Sequence, residues 1–151
     1  MEITQETDYA VRCVLYLSSI GPEQTVRIEE IAAEMQIPRS FLAKILQKLT
    51  QADIVRSYRG VKGGFRLSRP PKEITLLQVV EAVEGPVAMN RCTREGSLCD
   101  FKKTCVVHPV WRRLRTIVET YMKDITFEKL KKERRQEAMA QNILTVRRKK
   151  T

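Results

Sequence analysis

A chain of 151 residues, 42% hydrophobic and 30% charged, is long enough for one ordinary core plus an appendage. No apolar run approaches the roughly 20 residues that a membrane-spanning helix needs. The acidic start Met1-Glu2-Ile3-Thr4-Gln5-Glu6 is unlike the basic start of a secretory signal, so a cytoplasmic protein with no membrane partner is expected. A net charge of +10 and a sequence pI of 9.7 imply a polyanionic partner, with nucleic acid the first candidate.

In chain order, Thr4 to Ile20 reads as a helix, with Val11, Val14, Leu15 and Ser18 at helical spacing and Gly21-Pro22 stopping it. Ile28, Ile31, Ala32 and Met35 follow the i, i+3, i+4, i+7 pattern of a second, short helix. Gln36-Ile37 makes a tight connection. Pro38 then opens a third helix, Arg39 to about Ala52, where its missing N–H costs nothing. The apolar face of this helix is Phe41, Leu42, Ile45, Leu46 and Leu49; the opposite face carries Ser40, Ala43, Lys44, Gln47 and Lys48. Two short helices joined by a tight turn, the second basic on its outer face, form a helix-turn-helix.

Ile54 to Lys72 holds six basic residues and no acidic one. Val55-Arg56-Ser57-Tyr58 and Phe65-Arg66-Leu67-Ser68 alternate as half-buried strands do, around the glycine-rich turn Arg59-Gly60-Val61-Lys62-Gly63-Gly64. This is a hairpin with a basic tip, a wing. A further short helix with Leu76, Leu77, Val79, Val80 and Val83 ends at Gly85-Pro86. Met89 to Pro109 then shows no periodicity. From Val110 the series Val110, Leu114, Ile117, Tyr121 and Ile125, with Trp111, Val118 and Met122 beside it, describes the seam of a long helix that packs against another. The tail from Glu128 has nine basic and three acidic residues, and its end Arg147-Arg148-Lys149-Lys150 is expected to be disordered. The expected fold is therefore mainly α with a small β-wing. It divides into a winged helix-turn-helix over 1–86, a cysteine-rich loop over 87–109, a dimerisation helix over 110–127 and a basic, partly disordered tail over 128–151.

Two sets of residues carry chemistry. A helix in the major groove offers side chains near its N-terminus to base edges and phosphates: here Arg39, Ser40 and Lys44, with Gln47 and Lys48 farther along. At the wing tip, Gly63 and Gly64 let the backbone approach a duplex, and Arg59 or Lys62 can enter a minor groove. The second set is Cys92-x6-Cys99-x5-Cys105-x2-His108. Soft thiolates select zinc, copper(I) or iron–sulfur clusters, and structural zinc generally uses a cysteine pair two to four residues apart, a spacing these three lack. Thiolates spread along an irregular loop suit an iron–sulfur cluster, two-iron or four-iron. His108 is a candidate fourth ligand, as is Asp8 or Glu6 from a partner subunit. Cys13, alone in a helix, is expected to be a buried hydrophobe. A thiol- or zinc-based regulator stays open as an alternative, as does an electron carrier. With one histidine and no nucleophile–base pairing visible, neither an enzyme nor a small-molecule substrate is expected.

These residues resemble a family, the Rrf-two-type bacterial regulators of the iron–sulfur cluster (IscR) and nitric-oxide-sensing (NsrR) types. The resemblance runs through Asp8-Tyr9-Ala10-Val11-Arg12, Ile31-Ala32, Ser40-Phe41-Leu42-x-x-Ile45-Leu46, Arg59-Gly60-x-x-Gly63-Gly64-Phe65-x-Leu67, Ile74-Thr75-Leu76-x-x-Val79 and the cysteine loop. It implies a homodimer on a palindromic operator, paired through the long helix at Trp111, Leu114, Ile117, Val118, Tyr121 and Ile125. It also implies a cluster on Cys92, Cys99 and Cys105, with His108 or Asp8 as fourth ligand. The function implied is a repressor that senses nitric oxide, redox state or iron–sulfur supply. The six-residue first cysteine gap is one longer than in IscR-type members, and the tail beyond Phe127 is not part of the family pattern.

Overall fold

The computed structural model describes residues 3–94, 96–101 and 103–148, with side chains through Met139. The central helix is α1 (Gln5–Ser18), capped by Thr4, whose side chain accepts from the Thr7 N–H. Its face of Ala10, Cys13, Val14 and Leu17 is buried against α3 and α4. Helix α2 (Ile28–Met35) ends at Gln36 in the left-handed region (φ 53°), which turns the chain sharply into α3 (Arg39–Gln51). Leu42, Ile45, Leu46 and Leu49 of α3 are fully buried, as the sequence pattern requires. Phe41, expected on the same face, is instead 49% exposed and packs edge-on against Tyr9.

Strands β1 (Val55–Tyr58) and β2 (Gly64–Leu67) pair antiparallel, with Val55 opposite Leu67 and Tyr58 opposite Gly64. Val26 adds a third-strand contact through paired bonds with Phe65 (2.9 and 2.8 Å). This explains Gly64: a Cβ there would stand 2.5 Å from the Val26 carbonyl oxygen. A 3-10 turn at Pro71–Glu73 leads into α4 (Leu76–Glu84). Thr75 caps α4 in a reciprocal box with Gln78, a pairing that satisfies two otherwise orphan N–H groups. Thr75→Ala is expected to cost about 1 kcal/mol, read as a lower urea midpoint at unchanged slope.

Two elements depart from the sequence expectation. The long helix α5 (His108–Asp124) starts inside the expected loop, with Pro109 in its first turn, and stops at Asp124. Ile125 and Thr126 are extended and pair with the chain before α4: Leu76 N–H donates to the Ile125 oxygen (2.8 Å) and Phe127 N–H to the Ile74 oxygen (3.0 Å). Ile125 therefore leaves the helical seam. The tail, expected to be basic and partly disordered, begins as a helix, α6 (Phe127–Arg148), seated by fully buried Phe127 and part-buried Leu130 on α1 and the Pro71–Glu73 turn. The Lys149-Lys150 end of that tail lies outside the described residues. Among the described residues, no helix is long and apolar enough to cross a membrane.

Candidate functional site

Arg39, Ser40, Lys44 and Gln47 stand exposed on the outer face of α3. Arg39 pairs with Glu29 of α2 at 3.2 Å, and both side chains remain in solvent. Lys48 is placed differently. The last turn of α3 runs against α4, and the Lys48 Nζ lies 2.9 Å from the Glu6 carboxylate and donates to the Val83 carbonyl (3.3 Å). It ties α3 to α1 and α4 rather than standing free on the outer face.

The wing tip projects Arg59, Lys62 and a 90%-exposed Val61. Gly60 has φ +101°, and a Cβ on Gly63 would stand 2.6 Å from the Tyr58 oxygen, so both turn positions require glycine. Thr25 Oγ1 donates to the Lys62 carbonyl (2.6 Å) and Arg27 to the Val61 carbonyl (3.1 Å). These two loop residues fix the tip against the body of the domain. They were not legible in the sequence, because a loop residue bonding to backbone carries no periodicity. Arg66 is turned away from the tip, bonded to Glu23 (2.6 Å) and stacked over Tyr58 at 4.4 Å.

Cys92, Cys99 and Cys105 are free and half-buried. Among the described residues, no three His, Cys, Asp or Glu side chains stand close enough to hold a metal ion. Cys92 sits in a 3-10 turn (Arg91–Thr93) closed by the Asn90 side chain. Arg115 of α5 clamps that turn, donating to the Thr93 carbonyl (2.8 Å) and to Glu119 (2.6 Å). His108, in the first turn of α5, is only 7% exposed, and neither Nδ1 nor Nε2 has a hydrogen-bond partner among the described residues. Leaving a buried imidazole unpaired is costly, so such a group calls for a partner, whether an ordered water, another side chain or an ion. Cys92 and His108 line one cavity of about 490 Å³ with Arg112, Arg115 and Glu119.

The donor set of three thiols and an unpartnered imidazole fits a thiolate-bound cluster in its chemistry, although the single chain does not gather the three sulfurs. The loop has no core of its own: Leu98 is 99% exposed and Phe101 73%. Asp8 pairs with Arg12 on the same helix, and Glu6 with Lys48. Cys13 is fully buried, and desolvation pushes its thiol pKa up to about 12, so it is not a thiolate near neutral pH.

The seam of α5 divides in two. Val110, Leu114, Ile117 and Tyr121 form an exposed apolar stripe, with Tyr121 69% exposed. Trp111 and Val118, expected on the same interface, are half-buried, as is Met122, while α5 itself packs on α4 and the Cys92 turn.

A family model described as Rrf2, iron-dependent transcriptional regulator, matches residues 3–133. The chain is 38% identical over 137 residues to Protein aau3 of Rhizobium meliloti, covering 90% of this chain and 88% of that one. It is 32% identical over 131 residues to the HTH-type transcriptional regulator IscR of Aliivibrio salmonicida, covering 86% and 77%. Among solved structures, T. potens IscR aligns with a TM-score of 0.71 at 22% identity over 88% of each chain. CymR, the global cysteine regulator of B. subtilis, aligns equally well (0.71, 22%), covering 88% of this chain and 98% of its own. These two likenesses are of fold, a winged helix-turn-helix that is mainly α with a small wing. With most of its length matched by the family model, and a relative 38% identical along nine-tenths of it, the chain belongs to the Rrf2 family of transcriptional regulators.

Proposed function

We propose that this regulator is a homodimeric, DNA-binding repressor whose operator affinity is switched by an iron–sulfur cluster on Cys92, Cys99 and Cys105, with His108 as fourth ligand. The observation that carries the cluster reading is the buried, unpartnered His108 imidazole sharing a cavity with Cys92. Asp8 of the partner subunit is the alternative fourth ligand, and reaching a cluster would require it to leave Arg12. A bound cluster supplies a centre whose gain, loss or nitrosylation changes what the three thiolates hold together. The cysteine loop joins α4 of the winged domain to α5, whose exposed stripe of Val110, Leu114, Ile117 and Tyr121 suits it to pair with a second copy. Closing or releasing that loop therefore changes how two winged domains are set on a palindromic operator. Arg39, Ser40, Lys44 and Gln47 face the major groove and Arg59 or Lys62 the minor groove, with Gly63 and Gly64 letting the wing backbone come close.

The test is a visible spectrum with iron and sulfide counts on protein purified without oxygen. Absorption near about 400 nm with matched iron and sulfide supports the reading. Iron-free protein that still binds a palindrome would instead favour a thiol-based regulator, a second reading consistent with the separate placement of the three sulfurs. The two lysines of α3 separate contact from scaffold. Lys44→Ala should weaken binding to all duplexes alike and flatten the salt dependence by about one phosphate contact. Lys48→Ala should change the salt dependence less and cost about 0.5 kcal/mol of stability through the part-exposed Glu6 pair. Anisotropy titrations and thermal melts distinguish the two.

A further inference from the structure

The basic segment after α5 lies outside the helix-turn-helix and the wing, and its placement points to a role. The first turn of α6 is seated by Phe127 and Leu130, and residues 132–139 are exposed. Lys131 lines the cleft of about 500 Å³ at the base of the wing, with Arg56, Tyr58, Arg66 and Arg69. Lys131, Arg134 and Arg135 stand at i, i+3 and i+4, so they share one helix face, the one that meets this cleft. Glu133 falls on the opposite side of the helix, and Glu137, three residues after Arg134, flanks the ridge at its far end. At its root Glu128 lies 4.0 Å from Lys131 and 3.8 Å from Lys132. A cationic ridge thus continues from the wing base outward by one helical turn, about 5 Å.

The composition of the ridge limits what can cover it. Residues 131–137 are Lys, Lys, Glu, Arg, Arg, Gln and Glu, which offers no apolar stripe for a partner helix and no apolar face to enter a bilayer interface. A polyanion matches the charge, and the neighbouring wing strands are already basic. The family match ends at residue 133, so Arg134 and Arg135 lie outside the segment it covers.

We infer that this face of α6 is a second contact with duplex DNA, gripping the phosphate backbone that flanks the half-site beside the wing. The inference rests on the DNA-binding reading of the helix-turn-helix and wing. Such a contact adds affinity without sequence preference, since phosphates carry no base identity.

The experiment uses the full chain on a fluorescent duplex of about 40 base pairs and random sequence, titrated from about 50 to about 200 mM salt. Each lost phosphate contact removes about 0.9 from the slope of log K against log salt. The double variant Arg134→Gln/Arg135→Gln should therefore flatten the slope by nearly 2 and weaken binding about tenfold near 100 mM salt. The control Glu133→Gln/Glu137→Gln should bind at least as tightly as the wild type, with its slope kept. An unchanged slope in the arginine variant overturns the inference. So does equal flattening in the control, which would make the effect one of helix stability, and so does loss of the dimer by sedimentation, which would assign the ridge to a subunit contact. A wild-type chain that binds no duplex would instead sink the DNA-binding reading itself.

Discussion

Cys99→Ala protein, purified without oxygen, is expected to lack the visible absorption of the wild type and to bind its operator with an affinity that no longer responds to nitric oxide, oxygen or iron supply. The loop between α4 and α5 has little else to organise it. Among its described residues, Leu98, Phe101 and Val106 face solvent, while the start of the loop is anchored by buried Val87 and the Cys92 turn is held to α5 by Arg115. Removing the middle thiolate takes away one of three anchors, and two thiolates with one imidazole are a poor cluster site. The switch need supply only about 1.4 kcal/mol to change operator affinity tenfold, so a loss of response of at least that size is expected. Cys13→Ala is the matched control: that thiol is buried and protonated, so the spectrum and the response should persist. If Cys99→Ala keeps both full absorption and full response, the cluster mechanism is wrong. If it keeps the fold but loses operator binding under every condition, the loop is structural rather than sensory.

Phe127→Ala is expected to be the most destabilising single substitution outside α3. Phe127 is fully buried, the largest such side chain among the described residues, and it sits where the extended Ile125–Thr126 link turns into α6. Truncating a buried phenylalanine to alanine costs about 3–5 kcal/mol, through lost transfer energy and a residual cavity. Against a total stability of about 5–15 kcal/mol that is a large fraction, and the urea midpoint should fall in proportion. A measured loss below about 1 kcal/mol would show that α6 is not docked in solution. That outcome would also remove the geometric basis for the basic ridge, since Phe127 and Leu130 orient it.

The order of elements was legible in the sequence, and the reasons are local. Helical periodicity marked Leu42, Ile45, Leu46 and Leu49 as buried. The acid-free hairpin with Gly60, Gly63 and Gly64 marked the wing, because those turn positions tolerate no side chain. The absence of apolar periodicity between Met89 and Pro109, with three cysteines inside it, marked the loop. What was not legible depends on which neighbour covers a face. The seam from Val110 to Ile125 looked continuous. Yet the chain stops its helix at Asp124, because Ile125 to Phe127 find backbone partners in Ile74 and Leu76, far away in sequence.

The sequence by itself therefore determined the class of fold, the family, the basic faces of α3 and the wing, and the thiol-rich loop. Each of these is written in residue type and in spacing along one element. Tertiary structure alone decided that Lys48 turns inward to Glu6, that Phe41 stays in solvent, that Trp111 and Val118 lie half-buried while Leu114 and Ile117 face out, and that His108 is buried without a hydrogen-bond partner. Periodicity shows the two faces of a helix, but only long-range packing chooses which of them is covered and by what.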